Sequence, residues 1–199
     1  YKAGTNLQQL TDDLSADISV IREYLRNRGL KLNDSKTQFI IIRQKTKCVP
    51  PNICLRLGDV LVSPTPTVKY LGLTIDEHLS FSSYVTEVEK KVGTKLAMFR
   101  KIRDNLTPAA RKTFYCSFIQ AHLEYGSNAF VHCLHTTQHD RLTRIANRAV
   151  RIVFGFPWHY DVSVLHTRYG LAPIALRYQL KLYILVFRAL RGMCSTLLL

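Results

Sequence analysis

At about residue 80 the sequence changes its period, and that change constrains the fold more than any other feature. Before it lie short β-branched runs: residues 38–43 (QFIIIR), residues 53–57 with Val60–Val62, and residues 67–75. Pro50-Pro51, Gly58-Asp59 and residues 64–66 punctuate them, so they read as strands of a small antiparallel sheet, with Gly58-Asp59 a hairpin turn. Ahead of them Leu7, Leu10, Leu14, Ile18, Ile21 and Leu25 recur at spacings of three and four. This predicts an amphipathic helix with Thr5 and Gln8 as a capping box and Gly29 as its stop. Beyond residue 80 the stripes are helical. Val85, Val88, Val92, Leu96, Phe99 and Ile102 form one, and Thr107-Pro108 starts a helix carrying Phe114, Phe118 and Ile119. Leu142, Ile145, Ala149 and Ile152 define a helix ending at Gly155, and a last one spans residues 173–190. The expectation is an α+β fold: helix plus small antiparallel sheet over residues 1–78, then an all-α part over residues 79–199.

Charge steps near the same place. Lys and Arg number 28 against 14 Asp and Glu, a net of +14 with a pI near 9.8. Residues 1–88 hold 11 basic and 9 acidic side chains, whereas residues 89–199 hold 17 and 5. An excess confined to one part of a chain answers to a polyanion, with nucleic acid ahead of an anionic membrane surface. At 199 residues and 47% hydrophobic content the chain lies outside the disordered, collagen-like and disulfide-scaffold classes. Cys48, Cys54, Cys116, Cys133 and Cys194 are odd in number and contain no C-x-x-C pair, so a reducing intracellular compartment is expected. The most apolar run, residues 182–187, is too short to span a bilayer and is followed by Arg188 and Arg191, so no membrane partner is expected. Tyr1 opens the chain without a secretory leader, and the apolar run near Leu199 closes it, which suggests a fragment of a longer polypeptide.

Two segments say more than their composition. Leu30-Lys31-Leu32-Asn33-Asp34-Ser35-Lys36-Thr37-Gln38-Phe39 follows the first helix, and Val68-Lys69-Tyr70-Leu71-Gly72-Leu73-Thr74-Ile75-Asp76 comes later. Together they resemble the late palm of reverse transcriptases from non-LTR (LINE-like) retrotransposons, where an LN-x-x-KT turn and a KYLG strand occur in this order. His122-Leu123-Glu124-Tyr125-Gly126-Ser127 and residues 142–152 (LTRIANRAVRI) are similar to the same family's thumb. The resemblance spans essentially the whole chain. It implies the end of a palm over residues 1–78 and a helical thumb with the start of a connection over residues 79–199. Its parent would be an RNA-directed DNA polymerase, a nucleotidyltransferase copying element RNA into DNA at a nuclear site. The implied partners are an RNA template and DNA primer duplex, and the N-terminal fingers and palm of the same polypeptide. Tyr24 stands where the family usually has Trp, a conservative aromatic change.

In that family an aromatic-Ala-Asp-Asp motif precedes the position of Tyr1, and another catalytic aspartate lies further upstream; neither is in this chain. Phosphoryl transfer of this class needs carboxylates that hold two metal ions. Asp12-Asp13 is preceded by Thr11 on the polar side of the first stripe and reads as a solvated pair. Mg2+ is therefore expected for the full-length parent, no cofactor for this part, and no polymerisation by this chain alone. The sheet, short of its upstream strands, is expected to leave apolar surface exposed.

The resemblance gives Lys36 the place of a lysine suggested as general acid for departing pyrophosphate; charge neutralisation and an ordinary turn lysine are the other readings. It gives Lys69, Tyr70, Leu71 and Gly72 the place of the primer grip, where Gly permits close approach, Lys meets a phosphate and Tyr packs under a sugar or base. The plain alternative is a core strand with Tyr70 and Leu71 on opposite faces. In the helical part Lys90, Lys91, Lys95, Arg100, Lys101 and Arg103 punctuate one stripe, and Arg141, Arg144, Arg148 and Arg151 recur at spacings of three and four. Those spacings put the arginines near one helix face, able to track a duplex backbone without reading sequence; a solvated basic face is the ordinary alternative. His132, Cys133, His135 and His139, with His122, match no standard zinc spacing, and no metal site is expected. Cys116 and Cys133 lack a triad context. Two other functions fit the same composition: a non-enzymatic nucleic-acid-binding transposon remnant, and a helical protein-interaction module.

Overall fold

The first helix begins at an asparagine. In the computed structural model, which describes residues 1–193, Asn6 is the N-cap of α1 (Leu7–Asn27), its side chain accepting from the Gln9 amide at 3.2 Å. The cap thus falls one residue later than the expected Thr5–Gln8 box, and the first-turn amide it satisfies is that of Gln9. Gly29, at φ +72°, ends the helix as expected: the Leu30 amide reaches Leu25 O and the Gly29 amide reaches Arg26 O. The stripe of α1 is half-buried and packs on β1 (Leu55–Leu57), although Ile21 stays 51% exposed. The Ser15 hydroxyl accepts from the Arg56 amide at 3.2 Å, tying helix to strand.

The strands form two separate hairpins. β1 pairs antiparallel with β2 (Val60–Val62), Leu57 opposite Val60, so Gly58-Asp59 is the two-residue turn the sequence suggested. The run at residues 67–75 is two strands, not one. β3 (Thr67–Tyr70) and β4 (Leu73–Asp76) pair with Tyr70 opposite Leu73, and Leu71-Gly72 makes the turn with both residues at positive φ. The expected strand at residues 38–43 does not form. Its backbone is joined to the second hairpin's neighbourhood at two isolated points, Thr65 N–H to Phe39 O and Arg43 N–H to Glu77 O, and two bonds do not make a ladder. Arg43 also pairs with the Glu77 carboxylate at 3.0 Å. Val20, Tyr24, Ile42 and Leu61 remain more than half exposed.

The chain divides between Leu79 and Ser80 into two compact units. The second is helical throughout its described residues: α2 (Ser82–Arg100), α3 (Pro108–Phe114), a π-helical stretch (Tyr115–Gln120), α4 (Ala121–Glu124), α5 (Ser127–Phe130), α6 (Thr136–Phe154), α7 (Val162–Tyr169) and α8 (Ile174–Leu190). Val85, Val88, Val92, Leu96 and Phe99 are buried as the period requires; Ile102 lies past the end of α2 and is exposed. Thr107 caps α3 with Pro108 at its first position, and Gly155 at φ +82° ends α6. In the π-helical stretch Ile119 is fully buried, whereas Phe118 is half exposed. A π-bulge shifts residues off the regular stripe, which is why the spacing placed Phe118 inside.

α2 and α6 run parallel and form the centre of this unit. The Gln138 side chain donates to the Ser82 hydroxyl, Arg141 pairs with Glu89, and Arg103 lies at Ile152 O, so their registers match from start to end. Leu142, Ile145, Ala149 and Ile152 are buried. Among the described residues no single helix is long and apolar enough to cross a membrane; α7 with α8, bent by 52°, reach that length and composition only as a pair.

Candidate nucleic-acid interface

In the first unit, a turn and a hairpin tip carry the candidate residues. Asn33 builds the turn: its side chain accepts from the Lys36 amide at 3.2 Å and from the Ser35 hydroxyl at 2.8 Å. Asp34 is fixed by Arg22, which lies 2.6 Å away and also donates to Leu57 O at 3.1 Å. One arginine thus ties α1, the turn and β1 together. Lys36 ends the turn exposed, its ammonium unpaired among the described residues.

The tip of the second hairpin is presented to solvent. Lys69, Tyr70, Leu71 and Gly72 are all exposed, Tyr70 by 64% and Leu71 by 73%. The core-strand alternative for these residues does not describe them. Leu71 at φ +46° and Gly72 at φ +84° fit the paired left-handed conformations of a type I′ turn. Gly takes that conformation freely, whereas a leucine does so at a cost of about 1 kcal/mol or more.

In the second unit the basic side chains divide into engaged and unengaged sets. Arg141 forks onto Glu89 at 3.1 Å through Nε and donates to the Thr86 hydroxyl at 3.0 Å. Arg151 donates to Tyr160 O at 2.8 Å, Arg111 to Leu106 O, and Arg103 to Asp104. Lys91 stands 3.9 Å from Glu87, and the Lys95 ammonium lies 5.2 Å over the Phe118 ring. Lys90, Arg100, Lys101 and Arg148 are exposed without a partner among the described residues, and Arg144 bonds only to Asp140 O of its own helix. The four arginines of α6 lie on its side away from the core, but two of them are spent on the protein itself.

The matched register of α2 and α6 gives the unengaged set a direction. Beyond the Glu89–Arg141 pair, toward the C-terminal ends, the exposed cations are Arg100 in the last turn of α2, Lys101 just past it, and Arg144 and Arg148 on α6. No acidic residue follows Glu89 in α2 or Asp140 in α6. Positive charge along a ridge without compensating carboxylates suits a phosphate backbone.

The HLEYGS segment has a different office. Glu124 is buried and pairs with Arg177 of α8 and, at 3.1 Å, with Lys181. The carbonyls that end α4 are capped from outside: Tyr178 donates to Leu123 O at 2.9 Å, Lys181 to Glu124 O, and Tyr84 to Tyr125 O. Burial pushes the Glu124 carboxyl up, but hydrogen bonds from Arg177 and Lys181 outweigh it and hold the group below the usual range. His122, beside these residues, is pushed down by burial and then by Lys95 and Lys91. This structural role is not legible in the sequence, because the partners of the motif lie far along the chain, Tyr84 in α2 and Arg177, Tyr178 and Lys181 in α8.

Curated proteins of Drosophila melanogaster are similar to this chain. It is 26% identical over 156 residues to the probable RNA-directed DNA polymerase from transposon X-element, covering 76% of this chain and 17% of that protein. It is 24% identical over 153 residues to the RNA-directed DNA polymerase from mobile element jockey, covering 75% and 16%. These relatives are transposon polymerases. A third, the probable RNA-directed DNA polymerase from transposon BS, is 23% identical over 140 residues, covering 69% of this chain and 15% of that protein. The kinship agrees with the resemblance carried by the motifs. The chain spans about a sixth of the length of the transposon polymerases it matches. No protein-family model and no solved structure matches it.

Proposed function

We infer that this chain is the part of a retrotransposon reverse transcriptase that holds the template–primer, with residues 1–78 as the end of the palm and residues 79–199 as a helical thumb. The observation that carries the reading is the uncompensated ridge of Arg100, Lys101, Arg144 and Arg148 in a chain whose relatives are RNA-directed DNA polymerases. A ridge of free cations meets phosphates without reading bases, as a polymerase that copies any sequence requires.

The exposed hairpin tip takes the primer grip. Lys69 meets a primer phosphate, Gly72 lets the backbone come close, and Tyr70 and Leu71 offer flat apolar surface to the terminal sugar or base. Lys36, on its braced turn, supplies positive charge to the departing pyrophosphate and is the candidate proton donor. Mg2+ belongs to the whole polymerase on this reading. This chain's own part, on the same reading, is binding and positioning. The same reading makes the compartment nuclear and the fingers and remaining palm of the polymerase the protein partners.

The test is a titration of the 199-residue chain against a labelled RNA–DNA hybrid, followed by fluorescence anisotropy across salt concentrations. The expected result is a steep loss of affinity with salt, with a log–log slope of about −0.9 per phosphate contact. Tyr70→Ala is expected to weaken a hybrid with a recessed primer end more than a blunt one. Affinity absent at low salt, or independent of salt, would remove the duplex-holding role.

A further inference from the structure

The segment between α6 and α7 is built to present a tryptophan that the fold does not use. Residues 155–161 read Gly-Phe-Pro-Trp-His-Tyr-Asp, and Trp158 is the chain's single tryptophan. It is 85% exposed, at the corner of a turn closed by the Tyr160 amide on Pro157 O at 3.1 Å. Everything around that corner is braced. The Phe156 amide bonds Arg151 O at 2.8 Å, the Phe156 and Tyr160 rings meet at 4.5 Å across the base, and Arg151 holds Tyr160 O. The Asp161 carboxylate is engaged on the Ser163 amide and hydroxyl, each at 2.8 Å, where it caps α7. At the tip Trp158 meets His159 edge to face, with ring centroids 5.7 Å apart, and His159 is itself exposed.

An indole left in water on a rigid turn forgoes the burial that usually recommends tryptophan, about 150–250 Å2 of it. Such a side chain suits a flat partner that arrives from outside. Charge says which kind. Arg151, which braces the turn, follows Arg144 and Arg148 on the exposed side of the same helix, and the guanidinium groups of Arg103 and Arg111 flank Gly155. A nucleobase on a phosphate backbone is the flat group that comes with negative charge.

We propose that the turn at residues 157–160 is a base-stacking platform, on which Trp158 stacks an unpaired base of a nucleic acid strand whose phosphates lie along Arg148 and Arg144. This rests on the duplex-holding reading and adds to it an unpaired stretch of strand at the end of the α6 ridge. The turn's own hydrogen bonds fix the indole before the base arrives, so little ordering is lost on binding. Stacking tolerates any base, because every base has a π face.

The single tryptophan makes the test direct. The 199-residue chain is titrated, with indole fluorescence as the readout, against oligothymidylate, against a blunt RNA–DNA hybrid and against the same hybrid with a single-stranded overhang. Quenching by the oligothymidylate and the overhang, and little by the blunt hybrid, is expected. By anisotropy, Trp158→Ala should weaken the overhang substrate about fivefold to 150-fold, the range for one stacked base, and the blunt hybrid less than twofold. Trp158→Phe should restore most of the loss. If the hybrids bind with steep salt dependence yet the indole is unquenched and Trp158→Ala changes nothing, the platform is refuted and the duplex-holding role stands. Equal quenching by blunt and overhanging hybrids also overturns it, because the indole then lies on the duplex. If none of the three ligands binds, both readings fall.

Discussion

Leu71 occupies a position where hairpins ordinarily place Gly or Asn. With φ at +46° its side chain is strained against its own backbone, yet it is exposed and contributes little burial in return. Leu71→Asn is therefore expected to stabilise the chain by about 0.5–1 kcal/mol in chemical denaturation. The same change should weaken binding of a recessed primer end, because stability and grip then pull in opposite directions at one residue. Glu124 shows the reverse economy. Its carboxylate is buried between the partly exposed Arg177 and Lys181, and Glu124→Gln should cost about 1–3 kcal/mol at neutral pH by weakening the charge-assisted hydrogen bonds to both. Its folded value is depressed, so the stabilisation is present above the ordinary value of 4.5 and is lost as pH falls through the lower folded one. Wild type should lose stability over that acid window, and the Gln variant should lose less of it, as thermal melts across pH would register.

At the scale of elements, α6 separates two kinds of arginine. Arg144→Ala with Arg148→Ala should leave stability within about half a kcal/mol of wild type in thermal melts, because both are exposed and free of carboxylate partners. Arg141→Ala should instead loosen α6 from α2 by about 0.2–1 kcal/mol, since its fork on Glu89 is partly exposed. Sequence period placed both helices and most of their buried faces, because Val85 to Phe99 and Leu142 to Ile152 keep a 3.6-residue repeat that only a helix buries. Pairing was not legible: whether an arginine is spent on Glu89 or on Tyr160 O depends on neighbours the period does not carry. Residues 38–43 look like a strand because β-branched composition suits any extended backbone, and only hydrogen bonds distinguish a ladder from a loop. The split of residues 67–75 depended on Leu71 accepting positive φ, which a leucine rarely announces. α7 shows no strong period, although Asp161 and Gly170 stand in the sequence as its cap and stop.

For the whole molecule, the change of period and the change of charge both lie near the Leu79–Ser80 division, and the two units carry different kinds of candidate site. A braced turn and an exposed hairpin tip belong to the first, a basic ridge and an aromatic turn to the second. The central claim is that the free arginines of α6, and not the engaged ones, hold a duplex backbone. The measurement that tests it compares the salt dependence of RNA–DNA hybrid binding for wild type and for the Arg144→Ala, Arg148→Ala double variant, by anisotropy on the same hybrid. The double variant is expected to show a log–log slope shallower by about 1.8, since two phosphates are no longer neutralised, with the melting temperature unchanged. A slope identical to wild type in a folded double variant would contradict it.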